Sequence, residues 1–127
     1  MRKELSAIEK QQLDCMRAAL GANLDSRAKF ALLAFWARHP SGWSSRRIVA
    51  PHSRVARAEL YRALNDLVDA GVVEAREDPG ICFYALRTQH PAYAAVLQLG
   101  KLGPKRRRYL LRAVDEDSSP LAAELAS

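Results

Sequence analysis

Between Ser44 and Arg62 the chain carries five arginines, Arg46, Arg47, Arg54, Arg57 and Arg62, against a single acidic residue, Glu59. A guanidinium is a rigid fork of donors that pairs bidentately with guanine or grips a phosphate, so arginines at this density suit a polyanionic partner. This stretch supplies +4 of the net +6, which leaves the rest of the chain nearly balanced. The run Lys105-Arg106-Arg107-Arg108 is denser still. It reads either as a clamp on phosphates or as the exposed first turn of a helix, balanced in part by Asp115-Glu116-Asp117. Positive charge at a helix N-terminus opposes the macrodipole, which hints at a use beyond solvation.

Other chemistries find no footing. His39, His52 and His90 sit beside proline or in turns, far apart, and read as structural or solvated. There is no Ser-His-Asp order, metal-binding pair or Gly-rich phosphate loop, so the sequence predicts no enzyme, no metal and no cofactor. Cys15 and Cys82 lie 67 positions apart, which gives neither a disulfide framework nor a zinc knuckle and fits a reducing cytoplasm. Cys82 is expected to be packed, and Cys15 leaves open a redox sensor. The opening MRKELSAIEKQQLD is charged throughout, and no apolar run approaches the ~18 residues of a membrane span. The expectation is a cytoplasmic protein with no membrane contact.

At 127 residues, 49% of them hydrophobic, the chain is long enough for one domain with a real core and appended helices. Glu4 to Leu20 lacks Gly and Pro and aligns Leu5, Ile8, Gln12, Cys15, Ala19 and Leu20 on one helical stripe, suited to packing on its own domain or on a second copy. Ser26 is a predicted N-cap for an apolar helix, Ala28 to Arg38, that His39-Pro40-Ser41-Gly42 closes. Trp36 and Trp43 flank its end and are expected to anchor the core. Ser44 or Ser45 is expected to cap a short helix bearing Arg46, Arg47, Ile48 and Val49, which Pro51-His52-Ser53 breaks.

The clearest element runs from Arg54 to Ala70, with Leu60, Ala63, Leu64, Leu67 and Val68 on one face and Gly71 at its C-terminal end. Val72 to Glu77 and Ile81 to Arg87, rich in Val, Ile, Phe and Tyr, predict a β-hairpin turning at Asp78-Pro79-Gly80. Two helices follow, Ala92 to about Leu102 and Lys105 to Val114, before an acidic, Ser-containing loop. The resulting division is an N-terminal helix over residues 1–23, a central domain over 24–88, and C-terminal helices and tail over 89–127.

Helix, short helix, turn, long helix, hairpin, helix is an order that resembles the winged helix-turn-helix regulators of prokaryotes, ArsR-like and MarR-like. Leu60, Leu64, Leu67, Gly71, Val72 and Val73 carry the resemblance together with the hairpin, over about sixty residues. Gln89-His90-Pro91-Ala92-Tyr93 is similar to the segment after the wing in some ArsR-like proteins. The resemblance implies a mainly α fold with a small β-hairpin wing (α+β) and extra helices at both ends. It also implies a homodimer assembled through Glu4 to Leu20, Ala92 to Leu102 or both, and transcriptional regulation through double-stranded DNA, with any small-molecule effector left unspecified. Its third helix would enter the major groove, presenting Arg54, Arg57, Ala58, Tyr61 and Arg62. Arg46 and Arg47 would approach the backbone, with Arg76 on the wing and Lys105, Arg106, Arg107 and Arg108 outside it completing the candidate DNA contacts.

Two features depart from that family's usual pattern, and the runner-up reading is a winged helix that binds protein or serves as an assembly module through its acidic wing and exposed aromatics. The helix start, Val55-Ala56-Arg57-Ala58-Glu59, is poor in the short polar residues that read bases. The hairpin tip, Glu77-Asp78-Pro79-Gly80, is acidic where a phosphate-gripping wing would be basic.

Overall fold

The computed structural model describes residues 5–45 and 55–117. Helix α1, Ala7–Leu20, begins at Ser6, whose Oγ accepts from the Glu9 backbone N–H at 3.1 Å and donates to the Glu9 carboxylate. This reciprocal arrangement satisfies the helix start. Of the predicted stripe only Leu20 is buried; Leu13, outside it, is buried too, while Gln12, Cys15 and Ala19 are exposed and Ile8 is 69% exposed. Contacts with the last helix, α5 (Pro104–Asp117), set the rotation of α1. Arg106 reaches Glu9 at 3.2 Å, Tyr109 donates to Asp14 at 3.2 Å, and Arg17 donates to the Ala113 carbonyl. Partners rising together in sequence mean that the two helices run parallel.

A short 3-10 turn, Gly21–Leu24, leads to α2, Arg27–Arg38, and Ser26 caps α2 by accepting from the Lys29 N–H at 3.2 Å. Ala28, Phe30, Leu32, Leu33, Ala34, Phe35 and Trp36 are all buried. A helix apolar on every side must sit in the middle, and α2 touches all three helices that follow it. Lys29 is the exception on it, only 7% exposed. Its ammonium donates to the Ala22 carbonyl at 2.9 Å and lies 3.0 Å from Asp25 and 3.7 Å from Asp66. A buried cation needs such company.

Ser44 and Ser45 cap no helix. They form strand β1, Ser44–Ser45, opposite Tyr84 and Phe83 of β3, Ile81–Leu86. The sheet therefore has three antiparallel strands in the order β1-β3-β2, with β2 spanning Val73–Asp78, rather than the two of the predicted hairpin. Covering an edge of β3 gives its backbone groups partners. The rest of the predicted short helix, Arg46 to Val49, and the Pro51–Ser53 break lie outside the described residues.

Helix α3, Arg57–Asp69, buries Leu60, Ala63, Leu64 and Leu67, as their spacing predicts. It starts later than expected: Val55 and Ala56 precede it, Ala56 offers no side-chain cap, and Arg54 lies outside the described residues. Its other end follows the glycine rule. Gly71 has φ +80°, its N–H donates to the Val68 carbonyl, and the Val72 N–H reaches back to Leu67. That 6→1 and 5→2 pair closes the helix and turns the chain into β2, Val73–Asp78. Strand β2 pairs with β3 from Val73↔Leu86 to Asp78↔Ile81, about a tip at Pro79-Gly80.

His90 bridges sheet and helix, its Nδ1 accepting from the Ala92 N–H at 3.0 Å, which bears out a structural histidine there. Helix α4, Tyr93–Leu99, stops short of the expected Leu102, burying Val96 and Leu99. Helix α5 is longer than predicted, because Asp115 to Asp117 continue it instead of forming loop. Val114 is fully buried and Asp115 takes a two-pronged contact from Arg27, so the last turn is held at both its apolar and its polar side.

Candidate nucleic-acid interface

With Leu60, Ala63, Leu64 and Leu67 turned inward, helical geometry turns Arg57, Ala58, Glu59 and Arg62 to solvent, and all four are exposed. Tyr61 is half-buried, packed against the core. Among the described residues no carboxylate pairs with Arg57 or Arg62. Five donors on each guanidinium therefore face water, available to an anionic or acceptor-rich surface. Arg46, Arg47 and Arg54, expected beside them, lie outside the described residues.

The hairpin contributes one cation. Arg76 stands opposite Phe83 in the β2–β3 ladder, and Ser45 stands opposite Phe83 from the other side. Directly opposed residues share a face, and alternation adds Trp43 and Ile81 to that same outward face. There the Arg76 guanidinium lies over the Trp43 ring, 5.8 Å from its centroid. Trp43 is thus not a core anchor; it is 41% exposed, whereas Trp36 is fully buried as expected. Ile81, 53% exposed, sits beside the acidic tip of Glu77 and Asp78.

The four residues of the second basic run do not share one surface. Lys105 and Arg108 are exposed, and Arg106 is paired with Glu9, whose carboxyl that hydrogen bond holds below its ordinary range. Arg107 turns the other way. It is half-buried, its Nε is enclosed without an acceptor, and burial followed by the nearby Arg38 pushes its pKa down. It lines a cavity of about 420 Å³ where α2, α5 and Val55 meet, with Phe30, Phe35 and Leu111 among the walls.

Sequence reading missed Lys29, Arg38 and the Arg27–Asp115 pair. Of these only Lys29 carried a local signal, an Asp25–Lys29 spacing of four. Arg27 and Asp115 are 88 positions apart, so nothing local links them. Among the described residues no cluster of His, Cys, Asp or Glu has metal-binding geometry, and no helix is long and apolar enough to cross a membrane. Cys15 is exposed and Cys82 is partly buried against the core, as expected for the latter.

No protein-family model and no curated protein matches the sequence. A solved structure does match: a transcriptional regulator of the MarR family from Silicibacter pomeroyi, with a TM-score of 0.52, 21% identity, and coverage of 94% of this chain and 77% of that one. The fold is a winged helix. In this winged helix, α3 is the helix directly preceding the wing and β2–β3 is the wing. Two supports lie beneath α3: its apolar side rests on α2, and Asp66 from its later half reaches Lys29. The winged helix thus holds Arg57 and Arg62 on a braced element, away from the core.

Proposed function

We propose that this protein is a cytoplasmic transcriptional regulator that binds double-stranded DNA, with α3 in the major groove. One observation carries the reading: Arg57 and Arg62 lie exposed, in no ion pair among the described residues, on the outer face of the helix that a helix-turn-helix protein inserts between phosphate backbones. Arg57, near the helix start, is suited to base edges, and Arg62, a turn and a half along, to a base or flanking phosphate. Ala58 allows close approach, and Tyr61 contributes its ring edge. Arg76 reaches the adjacent backbone from the wing, Arg46, Arg47 and Arg54 extend the positive surface, and the Lys105–Arg108 run adds flanking charge. The described neighbour of the same fold being a transcriptional regulator supports the role.

The protein acts as a homodimer in this proposal. Support comes from α1, whose outward Ile8, Cys15 and Ala19 form an uncovered stripe on a helix already packed on its other side. A groove of about 470 Å³ between α1, α4 and α5 continues it, lined by Cys15, Met16, Ala95 and Leu102. A labelled random-duplex pool titrated at ~50 mM salt tests the DNA reading, which predicts binding that weakens steeply with salt as counterions are released. Absence of binding there would overturn it.

A second reading is favoured by Ile81, an exposed large apolar side chain beside Glu77 and Asp78. Such a tip suits a protein partner with a basic rim. Arg57→Ala with Arg62→Ala separates the readings, since it abolishes DNA binding and spares a complex made through the wing.

A further inference from the structure

The cavity between α2, α5 and the residue leading into α3 has an internal imbalance. Arg27 at its margin is compensated by Asp115, its pKa raised by that hydrogen-bonded pair. Arg38 and Arg107 have no carboxylate partner among the described residues, yet they stand close enough for each charge to act on the other. Arg107 also encloses a donor, Nε, that meets no acceptor. Buried donors nearly always have an acceptor, and like charges are brought together at a cost unless an anion joins them. Apart from the exposed His39, whose ring lies against Phe35, the remaining walls are apolar, with Phe30, Phe35, Leu111 and Val55. A volume of about 420 Å³ falls within the range of small-molecule sites.

We propose that this cavity binds a small organic dianion, a phosphate monoester or dicarboxylate, whose charged end joins Arg38 and Arg107 and whose apolar body lies on Phe30, Phe35 and Leu111. The charge follows from the count: a monoanion leaves one of the two guanidiniums uncompensated, and a dianion leaves neither. The apolar walls reject an inorganic ion, which would have to shed water against phenyl rings without replacing its hydrogen bonds. Because Val55 lines the site and precedes α3 by two residues, the occupant touches both the supporting helix α2 and the start of the helix that carries Arg57. Binding at the cavity is independent of whether α3 reads DNA.

The test is calorimetric titration of the full chain with phenyl phosphate and with phthalate, which distinguish the two sources of a dianion, against benzoate and inorganic phosphate. At least one dianion should bind in a 1:1 ratio, with benzoate and inorganic phosphate roughly ten-fold weaker or more, the scale expected for loss of a charged hydrogen bond. Arg107→Gln and Arg38→Gln should each weaken the dianion by a similar factor, and Lys101→Gln, exposed in the turn before α5 and outside the cavity lining, should leave it unchanged. Arg38 sits on the exposed rim, so its variant serves even where Arg107→Gln disturbs folding. The proposal is overturned if no dianion binds saturably, if benzoate binds as tightly, or if both glutamine variants retain wild-type affinity. It is equally overturned if those variants lose duplex affinity while no small dianion binds, because the pair would then be a grip on backbone phosphate.

Discussion

Arg57 and Arg62 on α3 stand exposed and in no ion pair among the described residues, while Arg106 on α5 is engaged by Glu9 and Arg107 is drawn into a cavity against Arg38. The α5 run is the denser of the two in sequence, yet Arg106 and Arg107 are drawn into contacts within the molecule. A helix packed on one face by apolar residues keeps its charges on the other, as α3 does with Leu60, Leu64 and Leu67. Helix α5 is contacted on several sides, by α1 along Glu9, Asp14 and Arg17 and by α2 near Arg107, so its charges are shared among neighbours. Density of charge along a chain is therefore a poorer guide to a binding surface than the number of faces the helix has buried.

The widest gap between the two regions should appear in duplex affinity. Arg57→Glu with Arg62→Glu is expected to weaken binding by roughly a hundred-fold or more, since each base-directed guanidinium accounts for about 1–3 kcal/mol of recognition. Lys105→Glu with Arg108→Glu is expected to cost less than about ten-fold at the same salt, from loss of long-range attraction alone. Anisotropy titrations over a salt series measure both, and equal losses would erase the contrast.

Next in size is the support under α3. Lys29→Ala removes the buried stem as well as the ammonium that joins Ala22, Asp25 and Asp66, and should cost about 1–3 kcal/mol in urea unfolding, most of it from the emptied slot. Lys29→Met keeps the stem in its buried slot and leaves two half-exposed carboxylates to water, so its cost should fall below about 1 kcal/mol. A Met variant as unstable as the Ala variant would show that the charge itself, and not the packing of the stem, holds α2 to α3.

The α1–α5 seam predicts a pH effect of known sign. The Arg106 hydrogen bond lowers the folded-state pKa of Glu9, so the pair stabilises the fold above the ordinary carboxylate pKa and stops doing so as pH falls through the lowered value. Melting temperatures of wild type and Glu9→Gln should therefore differ at neutral pH and converge on acidification, with the difference shrinking at high salt. A gap that persists at acid pH would assign it to packing.

Much of this was legible in the sequence because it is local. The leucine spacing of α3, the Ser26 cap and the Gly71 stop each depend on residues within a turn or two, and each appears where expected. What could not be read is set by distant partners. The rotation of α1 depends on residues nearly a hundred positions away, which is why Leu13 rather than Ile8 is buried. Strand β1 exists because β3 offers an edge to Ser44 and Ser45, whose own types suggest a cap. Of the candidate contacts, exposure of Arg57, Ala58 and Arg62 followed from the apolar face opposite. The half-burial of Arg107 depended on Arg38 and Phe35 from another helix.

The smallest expected effect concerns the wing, which lies between the two regions in character. Its strand cation, Arg76, is exposed like Arg57 but, like Arg106, has an intramolecular partner, here the face of Trp43. An exposed cation–π contact contributes about 0.5–1 kcal/mol, enough to bias where the guanidinium points and too little to hold it against a phosphate. Trp43→Ala should therefore lower duplex affinity by roughly two- to five-fold if the ring directs Arg76 towards the backbone, while Trp43→Phe, which keeps a π face, should restore most of the loss. Arg76→Ala alone should remove about one unit from the dependence of affinity on salt, and adding Trp43→Ala to it should change nothing further, because the ring acts through the arginine. If Trp43→Ala instead raises affinity, the ring withholds Arg76 from DNA, and the wing belongs with the self-compensated arginines of α5 rather than with α3.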